Sequence, residues 1–478
     1  MKRIAILGGG VTGMTSAYSL SKKGYKVTIF EKTKDMGGLG ACFIDENKCI
    51  YDYGPHQFCT NNPELLKILK EVLGDNLLVR EKKVSQYFFN KYIPYPPKPI
   101  DYFIKLPFHL SVRVILEVIG SRIESQINSK TDYSFEAWTK SRFGSTLYSK
   151  YFKPYTIKTW GVDPDELDPS TASSRISFNS IFDIFFKTIK HYLTKKDDFS
   201  TIHNPLKNSF YYPRGGNVKL IEALYNTCIK ENVEFKTGFE AEEMIIKNGR
   251  AEKIIFTNKK SISDFDYVIN TIPLTILTKI IKKEYKIPLK FRGMTFVFLS
   301  FEKEQLSPYN WIYYPNKEII FQRICEFKHF NADMCPKGKT GIVAEITCFK
   351  GDNVWNTPDD VLIKRVISDL KKVKILKGNE KYLGNIRRQE FVYPLQIKGF
   401  QKMVNEIIET EISPLKNVVT IGRQGLFKYC NQNECMEMAL DVSKQIEDGT
   451  NKFNYDFKTK WKSDVFGDQP NLIEKEST

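Results

Sequence analysis

Three glycines near the start of the chain have the spacing of a dinucleotide site. Gly8, Gly10 and Gly13 fit the pattern G-x-G-x-x-G. In this pattern the first glycine permits a tight turn, the second lets the backbone approach a pyrophosphate, and the third allows close helix packing. The amide groups that open the following helix then offer donors and a positive dipole to an anion. The chemistry predicted here is the binding of a nucleotide cofactor.

Two strands and a helix must position these glycines. Arg3–Leu7 is a short apolar run typical of a buried parallel strand, and a helical stretch of small residues continues to Leu20. A second strand, Lys26 to Phe30, ends in Glu31, where an acid would hold the ribose hydroxyls. The glycines alone are also compatible with a turn that binds nothing. Strand, glycines, helix, strand and acid in this order favour the nucleotide site.

Composition restricts the class of protein. The chain has 478 residues, of which 41% are hydrophobic, so disordered and collagen-like classes are excluded. The 72 basic and 56 acidic residues give a net charge of +16, which favours anionic partners. No nucleic-acid motif accompanies this charge, and DNA or RNA binding is not expected. The nine cysteines are odd in number and never spaced C-x-x-C, and the histidines lack ligand spacing, so we predict reduced thiols and no metal site.

No apolar stretch reaches the roughly 20 residues that span a bilayer, and no export signal is evident. We therefore expect a cytoplasmic protein without a transmembrane segment. The segment FNSIFDIFFKTIKHYLTKK, residues 178–196, is compatible with a basic amphipathic helix and keeps peripheral membrane contact open. A core helix with a solvated lysine end is the favoured interpretation of the same residues.

The order of patterns predicts an α/β protein in which a Rossmann-like domain is interrupted by two insertions. A helical pattern forms the first insertion, and β-branched and aromatic alternation predicts a mostly antiparallel substrate-domain sheet in the second. The predicted ranges are 1–90, 206–285 and 396–450 for the nucleotide domain, 91–205 for the helical domain, 286–395 for the sheet domain, and 451–478 for a C-terminal tail.

A second glycine pair refines the cofactor. The segment EKTKDMGGLG places Gly37 and Gly38 shortly after Glu31, and a simple nicotinamide-binding strand does not need them. The pair resembles the second glycine element of the FAD-binding amine oxidase and UDP-galactopyranose mutase superfamily, where it approaches the flavin side of the dinucleotide. This resemblance implies FAD as the cofactor of the Rossmann-like domain.

Further blocks resemble UDP-galactopyranose mutase and its flavoprotein relatives, some of which resemble protoporphyrinogen oxidase. The resemblance implies that His56, in YGPHQFCTNN, lies beside the isoalloxazine ring and that Arg175 lies near flavin and substrate. In GRQGLFKY, Gly422 and Arg423 would contact the cofactor. Arg423 and Tyr429 would line the place where flavin meets sugar. The catalytic residues implied are therefore His56, Arg175, Arg423 and Tyr429.

The same resemblance implies a set of substrate contacts, drawn from four segments: Tyr155, Trp160, Arg323, Tyr393 and Tyr429. Guanidinium and phenol groups suit a diphosphate, because they supply charge-assisted hydrogen bonds of defined geometry. Each of these residues also has an ordinary structural alternative, as a surface ion pair or a packed aromatic side chain. Convergence of these groups in the folded chain is the deciding observation.

The resemblance implies an enzyme that interconverts pyranose and furanose forms of a nucleotide diphosphate sugar through a sugar adduct at N5 of reduced flavin. NAD(P)H is a candidate reductant. The alternative is an FAD-dependent oxidoreductase of amine oxidase or protoporphyrinogen oxidase type, with a more apolar pocket. A third interpretation is an escort protein that has lost the chemistry of its fold, against which the retained glycines, Glu31 and His56 speak.

Overall fold

The structure is a computed structural model that describes most of the chain. Arg175, the basic segment 178–196 and nearly all of the predicted tail lie outside the described residues. No helix within the described part is long and apolar enough to cross a membrane. The described ranges are 1–95, 107–127, 134–173, 209–284, 287–450 and 452–455.

A parallel sheet of five strands forms the nucleotide-binding half. The predicted strands Arg3–Leu7 and Lys26–Glu31 are adjacent in it, joined by the helix Val11–Ser21 as the glycine motif predicts. Buried Ile, Val and Leu side chains of the strands pack on this helix, which in turn packs against the last helix, Gln432–Glu447. The sheet order is Val418–Thr420, Tyr267–Asn270, Arg3–Leu7, Lys26–Glu31 and Glu234–Thr237.

A seven-stranded sheet forms the other half, and it is antiparallel except for one parallel pair. One face packs on the helices Phe135–Leu147 and Lys153–Trp160, and the opposite face packs on Asp359–Lys372. The α/β class with a mostly antiparallel second sheet is therefore confirmed. The strand order is Tyr382–Pro394, Phe291–Phe301, Thr340–Cys348, Arg323–Glu326, Trp311–Tyr313, Val84–Phe88 and Lys91–Pro94.

Smaller elements connect the two halves. Three small sheets comprise the strands Cys42–Ile44 with Ile50–Asp52, Leu77–Glu81 with Ser209–Pro213, and Ala241–Lys247, Arg250–Phe256 and Ser261–Ile262. The remaining α-helices of the described residues are Pro63–Leu73, Phe108–Ile127, Pro169–Ser173, Val218–Lys230, Leu274–Ile281, Asn353–Asn356, Phe400–Ile407 and Gly422–Gly425.

The sheet pairing bears on the predicted domain ranges, which stay predictions. Val84–Phe88 and Lys91–Pro94 pair at one edge of the seven-stranded sheet, although the first predicted range ends at residue 90. A boundary before Val84 follows the pairing more closely, because it keeps both strands of this hairpin with the sheet they extend.

Candidate active site

The glycines of the first motif form a tight loop against the start of the helix Val11–Ser21. Gly8 has a φ of +103°, and a Cβ atom there would lie 2.4 Å from Thr271 Oγ1. A Cβ atom at Gly13 would lie 2.1 Å from the Gly8 carbonyl oxygen. At Gly10, by contrast, the nearest atom to such a Cβ is 3.9 Å away. Gly8 and Gly13 are thus required by the fold, whereas Gly10 borders open space suited to a bound phosphate.

Glu31 ties this loop to the second strand. Its Oε2 accepts a hydrogen bond of 2.8 Å from the Gly9 amide, and its Oε1 accepts from the Thr33 amide and hydroxyl at 3.0 and 2.9 Å. The side chain is largely buried. The carboxylate therefore shapes the loop, and its contact with a ribose stays a prediction.

Two further glycine elements meet the same loop. The Gly37 amide donates to the Gly9 carbonyl at 2.8 Å, and a Cβ atom at Gly38 would lie 3.3 Å from the Cα atom of Gly10. Gly422, with a φ of +83°, would place a Cβ atom 2.7 Å from Thr12 Oγ1. The predicted cofactor glycines are therefore together, and they form a backbone-lined cradle that fits the pyrophosphate of FAD.

A cavity of about 240 Å³ lies beside this cradle, between the two halves of the molecule. It brings together most of the polar side chains that the sequence singled out. Its lining includes His56, Tyr155, Arg323, Tyr393, Arg423 and Tyr429. The cavity is thus cationic and phenolic, as the nucleotide-sugar interpretation requires.

Arg423 is held at the cavity wall by its own backbone segment. The guanidinium donates from Nε to the Cys430 carbonyl at 2.8 Å, and a second nitrogen donates to the same oxygen. The guanidinium carbon lies 5.2 Å from the ring centre of Tyr429 and 5.9 Å from that of Tyr393. Among the described residues, no carboxylate forms an ion pair with it. Arg423 therefore brings a net positive charge to the cavity.

Arg323 differs from Arg423, because it forms an ion pair with a buried carboxylate. Its Nε and one terminal nitrogen donate to the two oxygens of Glu345, at 2.9 and 2.7 Å. The side chain of Glu345 is fully buried, and that of Arg323 is 15% exposed. Glu345 raises the pKa of Arg323 against the opposing effect of burial. The pair fixes the guanidinium rigidly and cancels its charge, so its remaining edge is the part available to a ligand.

His56 sits on a tight loop above this ion pair. The Gly54 amide donates to Asp52 O and the His56 amide donates to Gly54 O. Burial, together with the charges of Arg423 and Arg323, lowers the pKa of His56 to about 3. Its Nδ1 is buried without a hydrogen-bond partner within the described residues. The imidazole is therefore neutral and offers an unsatisfied atom in the cavity region.

A buried polar network supports the base of the His56 loop. Asp52 accepts hydrogen bonds from the Tyr212 hydroxyl at 2.7 Å and from the Asn217 amide at 3.1 Å. Burial raises the pKa of Asp52 to about 7. The Asn217 side chain accepts from Gln432, which lines the cavity, and donates to the Gly40 carbonyl. These hydrogen bonds therefore link the His56 loop, the glycine segment that contains Gly40, and the last helix.

The aromatic residues form layers around the cavity. Tyr155 lines it, stacked 6.2 Å from Tyr151. Tyr393 and Tyr429 also line it, with ring centres 5.6 Å apart. Trp160 is only 2% exposed and packs behind these two rings, at 6.0 and 6.3 Å. Trp160 is not among the lining residues of the cavity, and its contact with a substrate stays a prediction.

The structure adds lining residues that the sequence did not single out. Glu345 is the one acidic residue in the apolar strand TGIVAEITC, a signal that the sequence offered. Tyr313 also lines the cavity, and its ring centre is 5.9 Å from the Arg323 guanidinium carbon. Lys82 lines the cavity at 8% exposure, and burial lowers its pKa. Nothing in its local sequence, EKK, marks Lys82 as buried.

Family models match two parts of the chain. Residues 6–72 match a model of the NAD(P)-binding Rossmann-like domain, and residues 150–358 match the model of UDP-galactopyranose mutase. Together these matches cover the glycines of the cradle other than Gly422 and the region of Tyr155, Trp160, Arg323 and Glu345. The Rossmann-like interpretation of the first segment is confirmed.

Individual proteins give the same result. The dTDP-fucopyranose mutase of Escherichia coli is 23% identical over 455 residues, which cover 93% of this chain and 98% of that protein. A solved structure of reduced UDP-galactopyranose mutase superposes with a TM-score of 0.79 at 20% identity, covering 95% of both chains. The resemblance to UDP-galactopyranose mutase is therefore confirmed.

Oxidoreductases are also among the relatives. The 1-hydroxycarotenoid 3,4-desaturase of Flavobacterium sp. is 25% identical over 285 residues, which cover 56% of each protein. The chain thus matches about half the length of this curated relative. The match leaves 44% of each of the two proteins uncovered.

Proposed function

Because the chain is a UDP-galactopyranose mutase-like flavoprotein of the amine oxidase superfamily, we propose that it interconverts the pyranose and furanose forms of a nucleotide sugar. The observation that carries this proposal is the meeting of Arg323, Arg423, Tyr393 and Tyr429 in one cavity next to the glycine cradle. A lipophilic substrate would leave the charge of Arg423 without a partner in a largely buried site, which costs free energy.

The cradle residues define how the cofactor is held in this proposal. The backbone at Gly10 and Gly38 and the start of the helix Val11–Ser21 would hold the pyrophosphate. Glu31 would bind the ribose beside its existing contact with Gly9. Bound flavin in its reduced form supplies the nucleophilic electron pair for chemistry at the anomeric carbon, and NAD(P)H is our candidate reductant.

The side chains of the cavity would act on the substrate. Arg423 and the hydroxyl of Tyr429 stabilise negative charge on the departing diphosphate, where a preorganised cation is most effective. Arg323, fixed by Glu345, positions the substrate through its free edge. Neutral His56 offers hydrogen bonding without adding charge. The aromatic wall around Tyr155 excludes water from the reacting centre.

The test is direct conversion of a nucleotide sugar. Purified holoenzyme is reduced with dithionite under anaerobic conditions and incubated with UDP-galactose or a dTDP-linked deoxysugar, and the furanose product is measured by anion-exchange chromatography. Oxidised enzyme and Arg423→Ala serve as controls, and both should give little product. If reduced enzyme converts no nucleotide sugar, while oxidised enzyme consumes oxygen with a porphyrinogen or a carotenoid, the oxidoreductase alternative replaces this proposal.

The cellular location of the protein stays a prediction. A cytoplasmic enzyme fits a nucleotide-sugar substrate. Peripheral membrane contact through residues 178–196 also stays a prediction, since that segment lies outside the described residues. Sedimentation of the full chain with anionic vesicles tests it.

A further inference from the structure

Two buried cysteines are in contact directly behind the cavity wall. Cys430 Sγ and Cys435 Sγ lie 3.5 Å apart, and the two residues are 1% and 6% exposed. Cys435 lies in the first turns of the helix Gln432–Glu447, and Cys430 precedes the N-cap residue Asn431. A disulfide bond joins sulfurs about 2.05 Å apart, so an approach of about 1.5 Å would complete it.

The surroundings of the pair favour reaction at Cys435. A hydrogen bond from Cys430 and the charge of Arg423 lower the pKa of Cys435, against the opposing effects of burial and Glu434. The thiolate is the nucleophilic form of cysteine. Cys435 therefore has the thiolate character of a reactive cysteine, and Cys430 is placed as its resolving partner.

Two other buried thiols have a raised pKa instead of a lowered one. Burial raises the pKa of Cys228 to about 12, and its sulfur faces the Met14 carbonyl. A hydrogen bond with Cys49 and burial raise the pKa of Cys335. These cysteines provide internal comparisons, because they are buried to a similar degree and lack a neighbouring guanidinium.

We propose that Cys430 and Cys435 are an oxidation site, at which hydrogen peroxide converts the two thiols into a reversible disulfide. The Cys435 thiolate attacks one peroxide oxygen, giving a sulfenic acid and, after protonation, one water molecule. The Cys430 thiol then attacks that sulfur, the S–S bond forms, and the hydroxyl leaves as a second water. Two thiols are oxidised and one peroxide is reduced. The residues on either side of Cys430, Tyr429 and Asn431, line the cavity, so peroxide in the cavity would come within one residue of the pair.

The disulfide would also affect the cavity. The carbonyl of Cys430 anchors the Arg423 guanidinium, and Tyr429 is its neighbour in the chain. Drawing the Cys430 sulfur toward the helix shifts this anchor, so we expect the oxidised protein to bind a nucleoside diphosphate at least about threefold more weakly. This second effect rests on the proposed function, whereas the disulfide itself does not.

Peptide mapping tests the chemistry. The full chain with its cofactor is treated with peroxide, alkylated with iodoacetamide, digested with trypsin, and compared with an untreated sample. Cleavage after Lys428 and Lys444 gives one peptide, 429–444, that contains both cysteines. We expect it to lose two hydrogen atoms and to resist alkylation until dithiothreitol is added. Oxidation of its two methionines adds oxygen instead, so the products differ in mass.

Two variants and one binding measurement complete the design. Cys435→Ser should abolish the loss of two hydrogens, whereas Cys228→Ser should leave it unchanged. Equal alkylation of both cysteines before and after peroxide, or a disulfide between Cys49 and Cys335 in place of this one, would overturn the proposal. UDP binding is measured by calorimetry on oxidised and re-reduced protein. Disulfide formation without a change in UDP affinity would keep the modification site and remove its effect on the cavity.

Discussion

Replacement of Arg423 by alanine tests the central assignment of the cavity. The guanidinium forms no ion pair with a carboxylate of the described residues, and it is fixed by two hydrogen bonds to the Cys430 carbonyl. In Arg423→Ala the charge at the diphosphate disappears. The glycine cradle around Gly10 makes no hydrogen bond to this side chain, so cofactor content should be largely retained.

The size of the effect follows from the kind of contact removed. A hydrogen bond to a charged group contributes about 1.5 to 3 kcal/mol, which corresponds to a loss of about 10- to 150-fold in kcat/KM. Arg423→Lys keeps a charge but loses the planar fork that reaches both the Cys430 carbonyl and a ligand. Its loss should therefore be smaller than that of Arg423→Ala and still measurable.

The assay is furanose formation by reduced enzyme, with bound FAD counted from the visible spectrum of each preparation. Arg250→Ala is the matched control, because Arg250 also donates to a backbone carbonyl, that of Asp266, but is exposed and remote from the cavity. We expect that control to retain full activity. Wild-type kcat/KM in Arg423→Ala with normal FAD content would refute the placement of the substrate diphosphate at Arg423.

Three further perturbations separate fold, cofactor and charge effects. Glu345→Gln leaves Arg323 buried without its carboxylate, so urea unfolding should show a loss of about 3 to 5 kcal/mol that UDP partly restores, and wild-type stability would contradict the ion-pair argument. Gly10→Val should keep the melting temperature within a few degrees but purify without yellow colour, because its Cβ points into open space reserved for the cofactor; full FAD content would contradict this. The folded chain lowers the pKa of His56 from 6.5 to about 3, so between these pH values the unfolded chain binds more protons and stability falls as pH falls. His56→Gln should therefore lose less stability than wild type over that range in urea titrations, and identical losses would show that His56 titrates normally.

The part of the site whose geometry follows from sequence spacing alone is the part encoded locally. The glycines at 8, 10 and 13 and Glu31 lie within one strand, helix and strand, so their spacing fixes their geometry. The ion pair of Arg323 and Glu345 depends instead on the pairing of two antiparallel strands 22 residues apart. Strand alternation predicts that a residue faces one side of a sheet, but it does not predict which residue lies opposite.

The lack of tertiary information in a local sequence pattern also explains the placements of Trp160 and Lys82. Trp160 ends a helix whose position relative to the cavity depends on packing behind Tyr393 and Tyr429, and aromatic character alone cannot separate a wall from its support. Lys82 is buried because the strand after it joins the seven-stranded sheet, although its neighbours in sequence are charged. Such placements depend on tertiary contacts that a local pattern does not contain.

Only one of the two cavity arginines is paired with a carboxylate of the described residues. The positive charge in the cavity is therefore distributed asymmetrically. Glu345 neutralises Arg323 on the seven-stranded sheet, whereas Arg423 stays charged on the segment that leads into the last helix. A diphosphate therefore gains most by lying toward Arg423, which leaves the Arg323 side for the less charged part of the ligand. Under the proposed function, this one buried carboxylate would set the orientation of a bound nucleotide sugar, and Glu345 would act in specificity as well as in stability.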